Sequence, residues 1–175
     1  MPRDVLLACI ETAAQAPSGA NKQPWTFVLV ESAETKRAIR EAAEAEERAF
    51  YGGRAPTKWL EDLAALGTNE HKPFLEEAPA LIAVFAQKHG GTDDEKHYYV
   101  AESVGIATGL LLASLHHAGL ATLTHTPSPM GFLGDLLGRP RHERAYLLVP
   151  VGYPSSDCTV PDIARKSLDD GLVVR

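Results

Sequence analysis

Glu47 and Tyr51 stand four residues apart in a stretch without Pro or Gly, so they share one face of a helix. Lys72 follows in a less regular segment. A carboxylate, a phenol and an ammonium that converge could grip an amino-acid zwitterion. Glu47 would meet the α-ammonium, Lys72 the α-carboxylate, and Tyr51 would add a hydrogen bond. Against this stands a bland alternative. Glu44, Glu46, Glu47 and Arg48 form a charged run, which is ordinarily a solvated face, and pattern alone does not select Glu47 from its neighbours.

Two loops carry further polar groups. Ala16-Pro17-Ser18-Gly19-Ala20-Asn21-Lys22-Gln23-Pro24-Trp25 offers the side chains of Ser18 and Asn21, and Gly19 permits close backbone approach to a ligand. By itself it also reads as an ordinary Pro/Gly connection, and it is neither a Walker A sequence nor a GxGxxG fingerprint. Thr124-His125-Thr126-Pro127-Ser128-Pro129 follows a strand. Hydroxyls there face a ligand crevice or cap the next turn. His116-His117 suits the end of a helix. Arg165-Lys166 near the C-terminus binds an anion or only water. The histidines lack acidic partners at ligand spacing, so no metal site is expected. No GxSxG elbow supports a hydrolase.

The elements that must position these groups follow from periodicity. Val5–Ala16 has helical spacing and stops at Pro17-Ser18-Gly19. Thr26–Val30 reads as a strand. Thr35–Tyr51 is a helix, broken by Gly52-Gly53, which suggests a mobile segment. Trp59–Leu66 is a short helix. Ala80–Phe85 is a strand apolar on both faces. Gln87–Asp94 is a loop. Lys96–His117 is a long helix, apolar nearly all round from Val100, so it should be buried at the centre. Ala121–Thr124 and Tyr146–Val151 are strands with a short helix, Phe132–Leu137, between them. Asp157–Arg175 is an extended tail. The class is α/β (α+β), one sheet flanked by helices. A central helix so apolar is hard to cover in one small domain, so a homodimer is expected.

The length of 175 residues fits one domain, 1–175. Apolar residues are 45% and charged residues 23%, which excludes disordered, collagenous and coiled-coil classes. Lys plus Arg is 17 against 23 for Asp plus Glu, so no global basic field for nucleic acid exists. Cys9 and Cys158 have no ligand or disulfide-framework spacing, which fits a reducing, cytoplasmic setting. No signal peptide or membrane-spanning run is found.

Beyond this, the words of the chain resemble a family. Ala16-Pro17-Ser18-Gly19-Ala20 with Gln23-Pro24-Trp25 resembles the first loop of the FMN-dependent nitroreductase superfamily. Glu47-x3-Tyr51, Trp59, Thr68-Asn69 and Lys72 are similar to iodotyrosine deiodinases within it. So are His97-Tyr98-Tyr99, Thr126-Pro127, Pro150-Val151-Gly152-Tyr153-Pro154-Ser155 and Val160-Pro161-Asp162 with Arg165-Lys166. The resemblance covers the whole chain. It implies a nitroreductase-like mixed sheet, with the long helix buried at a homodimer interface and FMN sites between subunits. It implies reductive dehalogenation of iodo-, bromo- and chlorotyrosines. Electrons would come from a separate reductase or NAD(P)H. Glu47, Tyr51 and Lys72 would hold the zwitterion in a lid spanning about 47–75. The backbone N–H of Ala20 would stabilise the substrate phenolate. The Thr126 hydroxyl would bond flavin N5, with Thr124 and His125 beside it, and Pro17, Ser18 and Arg165 would contact FMN.

The resemblance has gaps. In the family an Arg-Arg-Ser-x-Arg-like cluster before the first helix grips the FMN phosphate, and Arg3 alone does not reproduce it. Losing several such bonds, each about 1.5–3 kcal/mol, would weaken flavin binding by orders of magnitude. A truncated chain or weak FMN binding is therefore expected. The membrane anchor of vertebrate members is absent, as in a soluble bacterial-type enzyme. Alternatives are a general nitroreductase or quinone-reductase-like flavoenzyme and a non-catalytic flavin or amino-acid binding module.

Overall fold

The apolar run Ala80–Phe85 is buried throughout and lies in an inner strand of the sheet. The structure is a computed structural model, and it describes residues 1–92 and 95–175. The end of the expected Gln87–Asp94 loop, Asp93 and Asp94, lies outside the described residues. Among these, strands β1 (Trp25–Val30), β2 (Ala80–Gln87), β3 (Ala121–Thr122) and β4 (Glu143–Gly152) form one sheet ordered β1-β2-β4-β3. The helices are α1 (Arg3–Ala14), α2 (Ala33–Ala49), α3 (Thr57–Ala64), α4 (Phe74–Glu77), α5 (Val100–His117), α6 (Gly131–Leu136) and α7 (Leu168–Gly171).

Alternation along the strands makes two cores. Ile82 and Val84 of β2, with Val149 and Val151 of β4, pack against Leu6 and Cys9 of α1 and Val104 and Leu111 of α5. Leu81, Ala83 and Phe85 face the other way, onto Ile39 of α2, Leu75 of α4 and Leu133 of α6. Each such buried Leu, Ile or Phe contributes about 1.5–3 kcal/mol relative to exposure. The result is a sheet covered by helices on both sides.

The pairings differ from the expected mixed sheet, because all of them are antiparallel. Val30 at the end of β1 faces Leu81 at the start of β2. The helical excursion between them thus returns the chain to the sheet end it left. The long helix also starts later than expected, at Val100 rather than Lys96. Tyr99 has φ 49°, a left-handed conformation that cannot continue a helix. Tyr98 and Tyr99 are exposed.

The expected all-round burial of α5 is not met within one chain. Its Val104, Ala107, Leu111 and Leu115 side is buried. Its Ile106, Gly109, Leu110 and Ala113 side is exposed. The tail from Tyr153 to Arg175 is exposed at every residue, including Val160, Leu168, Val173 and Val174. Among the described residues, no helix is long and apolar enough to cross a membrane.

Candidate active site

Glu47, Tyr51 and Lys72 come together. The Lys72 ammonium lies 3.5 Å from Glu47 Oε2 and donates to Thr68 Oγ1 at 2.9 Å and to the Asn69 carbonyl. It stands 6.0 Å from the centroid of the Tyr51 ring. The side chains of Lys72 and Glu47 are only 4% and 13% exposed. Glu47 is therefore not part of a solvated face, although its charged neighbours made that reading reasonable. The two opposite charges offset part of each other's desolvation cost.

A residue that the sequence did not single out fixes this arrangement. Glu44, about one turn before Glu47 on α2, accepts the backbone N–H of Lys72 at 2.9 Å. Its other oxygen accepts from Arg40, also at 2.9 Å. Arg40 in turn donates to Glu76 at 2.7 Å. That hydrogen bond holds the Glu76 carboxyl below its ordinary range.

The helix end and the turn after it are organised by aromatic contacts. Phe50 meets Tyr51 and Trp59 edge-on, with ring centroids 5.3 and 5.1 Å apart. Residues Phe50–Arg54 form a wide turn that Gly53 closes at φ 140°. Arg54 donates from both terminal nitrogens to Glu46 Oε2 at 3.0 Å and from Nη2 to the Ser128 carbonyl at 2.6 Å. No feature of the sequence marked this long-range contact.

His125 lies beside the same group. Its backbone exchanges hydrogen bonds with Leu148 at 2.8 and 2.9 Å. Its ring meets Phe74 edge-on at 5.6 Å. It is 7% exposed, and its Nε2 has no hydrogen-bond partner among the described residues. Burial first, and the Lys72 charge second, push its pKa down to about 4. His125 is thus neutral at pH 7. Thr124 and Thr126 are exposed, and neither hydroxyl caps a turn among the described residues.

The loop after α1 is built separately. Ser18 Oγ accepts the Gln23 N–H at 2.9 Å. Gly19 N–H donates to Ser103 Oγ at 3.3 Å, and Ser103 donates to the Tyr99 carbonyl at 2.6 Å. A Cβ on Gly19 would sit 2.7 Å from the Tyr98 carbonyl oxygen, so only glycine fits. Ala20, Asn21 and Gln23 hold φ values of 50°, 52° and 48°. Each non-glycine residue in that region is strained. The Ala20 N–H donates to no group among the described residues. Pro17 is exposed on the same loop. Ser103 is a residue that sequence reasoning missed, because a serine inside an apolar helix gives no outward signal.

No hydrogen bond, ion pair or ring contact among the described residues joins this loop to the Glu47–Lys72 group. Arg165 also stands apart, in the exposed tail, where it donates to the Ile163 carbonyl at 3.4 Å. Among the described residues no cluster of His, Cys, Asp and Glu could hold a metal ion.

A helix-covered sheet carrying a strained loop at one place and a Glu47–Lys72 ion pair at another is an architecture with known relatives. Residues 1–153 match the model of the nitroreductase family, and the chain belongs to that family. Within it the chain falls among the iodotyrosine deiodinases. It is 54% identical to the iodotyrosine deiodinase of Haliscomenobacter hydrossis, over 99% of this chain and 80% of that one. It is 49% identical to mouse iodotyrosine deiodinase 1 over 99% of its length, but spans only 62% of the mouse protein. A crystal structure of oxidised iodotyrosine deiodinase bound to FMN and 3-iodo-L-tyrosine superposes with a TM-score of 0.83 at 33% identity. That match covers all of this chain and 88% of the other. A nitroreductase-like protein from Streptococcus mutans shares the fold alone, with a TM-score of 0.72 at 16% identity, over all of this chain and 88% of its own.

Proposed function

We propose that this chain is an FMN-dependent enzyme that reductively removes halide from free iodo-, bromo- or chlorotyrosine. The observation that carries the reading is the buried Glu47–Lys72 pair, in a chain 54% identical to a named iodotyrosine deiodinase. An entering zwitterion replaces one ion pair with two, its ammonium on Glu47 and its carboxylate on Lys72. Tyr51, in the turn that follows α2, closes over them. A bare phenol offers neither charge and leaves the pair as it was, which sets specificity.

Three polar groups without hydrogen-bond partners among the described residues suit a flat cofactor and a phenolate. The exposed Thr126 hydroxyl would bond flavin N5. The neutral Nε2 of His125 is a hydrogen-bonding group that lacks a partner beside it. The Ala20 N–H is a preorganised donor for the phenolate, held in position by the strained loop. Thr124, Pro17, Ser18 and Arg165 complete the proposed cofactor contacts. FMN, when bound, supplies the two electrons that, with a proton, convert the carbon–halogen bond to carbon–hydrogen.

Separation of the Ala20 loop from the lid within one chain favours a homodimer in which each subunit completes the other's site. The exposed apolar side of α5 and the unpacked tail point the same way. Residues 1–175 act as one domain, with the lid at about 47–75 and the tail at 157–175. Free Cys9 and Cys158 suit a reducing cytoplasm, where a separate reductase would renew the flavin.

The test measures halide and tyrosine released from 3-iodotyrosine with saturating FMN and dithionite, against reduced FMN alone. Saturable release above that control is expected. Glu47→Gln and Lys72→Ala should each weaken halotyrosine binding. If both bind it normally, the lid assignment is wrong.

A further inference from the structure

A cleft of about 540 Å³ is lined by Trp59 of α3, by Thr126 and Ser128, and by Lys88, Arg141 and Arg144. The last three gather at one end of the sheet. The Lys88 N–H donates to the His142 carbonyl at 3.0 Å, and Arg144 pairs in register with Ala86. Thr126 follows His125, which is bridged to Leu148. Four residues along β4 separate Leu148 from Arg144, roughly 13 Å at about 3.3 Å per residue. The basic cluster therefore lies within a short span of the proposed N5 hydroxyl.

These cations are exposed, and none forms an ion pair with a described residue. Glu143, the one acid lining the cleft, is already engaged. It accepts from Arg139 at 2.7 and 2.9 Å and from Thr26 at 2.7 Å. Burial works to raise its pKa, and these donors overcome it. The protein as a whole carries a formal charge of −6. A localised positive patch on an acidic protein focuses the field at that patch and steers partners of opposite sign.

We propose that this cleft docks an acidic electron-carrier protein, which delivers electrons to the cofactor beside Thr126. The proposal rests on the flavin reading above. The geometry favours a macromolecule over a small anion. Lys88, Arg141 and Arg144 are spread over two segments and open to solvent, and no buried donors converge on one point as a small phosphate or carboxylate would need. Each carrier is oxidised by one electron. Two encounters, one proton and one halotyrosine give two oxidised carriers, tyrosine and halide.

The probe is reduced flavodoxin, an acidic one-electron carrier. Halide release from 3-iodotyrosine is followed in the FMN-loaded wild type and in a K88E/R141E/R144E variant, with parallel reactions driven by dithionite. Raising salt from about 0.01 to about 0.15 M shortens the Debye length from ~30 to ~8 Å. The flavodoxin-driven kcat/KM of the wild type should fall at least ~10-fold over that range. The variant should lose the flavodoxin-driven rate at low salt and keep its dithionite-driven rate. The salt series needs no variant, so it stands even if the triple substitution unfolds the chain. A salt-independent flavodoxin rate, or no flavodoxin rate beside a normal dithionite rate, overturns the docking proposal. So does a variant that instead loses a rate driven by NADPH, since the cleft would then bind a small anion. No halide with dithionite in the wild type is a different failure, that of the proposed function itself.

Discussion

The Arg54 guanidinium donates to the Ser128 carbonyl at 2.6 Å, tying the turn after α2 to the loop two residues beyond Thr126. Glu46 holds the same guanidinium from the other side at 3.0 Å. The segment proposed to grip the substrate and the segment proposed to touch the flavin are therefore linked by one side chain. Arg54→Met keeps most of the stem and removes the fork. Because Arg54 is partly exposed, stability should change by less than ~1 kcal/mol. Halotyrosine affinity of the FMN-loaded protein should fall several-fold by calorimetric titration. Unchanged affinity would mean that the two segments move independently.

Glu44→Ala removes the acceptor of the Lys72 backbone N–H and one partner of Arg40. A hydrogen bond to a charged group is worth about 1.5–3 kcal/mol. Halotyrosine binding should weaken by at least ~10-fold, while FMN binding stays near wild type. Glu44→Gln retains one acceptor oxygen and should recover part of the loss. Equal losses for Ala and Gln would argue for a general effect on folding rather than on Lys72.

The buried neutral His125 gives a pH dependence whose sign is fixed. Its pKa in the folded state is about 4, below the ordinary 6.5. Between those values the unfolded chain binds the proton and the folded chain does not. Stability is thus lost as pH falls from about 6.5 toward 4, by about 3 kcal/mol in full and about 2 kcal/mol between pH 7 and 5. His125→Leu should flatten that part of the profile. Urea midpoints at pH 7 and 5 check it, and equal slopes in both proteins would show that His125 is not the group responsible.

Ile106 and Leu110 project from the uncovered side of α5 at 47% and 37% exposure. An I106E/L110E variant should run as a monomer by light scattering where the parent runs as a dimer. It should bind FMN more weakly, because the proposed site needs the Ala20 loop of a second subunit. A monomeric parent would remove the dimer from the reading.

Patterns that depend on chain neighbours were legible. The apolar run at Ala80–Phe85 read as a strand buried on both faces, and it is one. The helix carrying Glu47 was legible too, but α2 ends at Ala49, so Tyr51 lies in the turn after it and not on the helix face expected from the four-residue spacing. Selecting Glu47 over Glu44 was not possible, since both stand on α2 and what separates their roles is Lys72, more than twenty residues away. Arg54 to Ser128, and Gly19 to Ser103, join segments 74 and 84 residues apart, and periodicity carries no such information. The start of α5 was misplaced because Tyr99 takes a left-handed backbone, which its side chain does not announce. The antiparallel pairing escaped because strand direction depends on where the long excursion from Val30 to Ala80 returns the chain, which local residue patterns do not record.

The mutual pairing of Lys72 with Glu47 has one more consequence. A halogenated tyrosine inside a polypeptide has its amino and carboxyl groups locked in amide bonds. It brings neither charge to the lid, and the two side chains have no reason to part. On the proposed reading the enzyme ignores halogenated proteins however abundant they are and waits for their hydrolysis. Its supply is set by whatever peptidase liberates the free amino acid, and iodinated peptides should persist in its presence until such a peptidase is added.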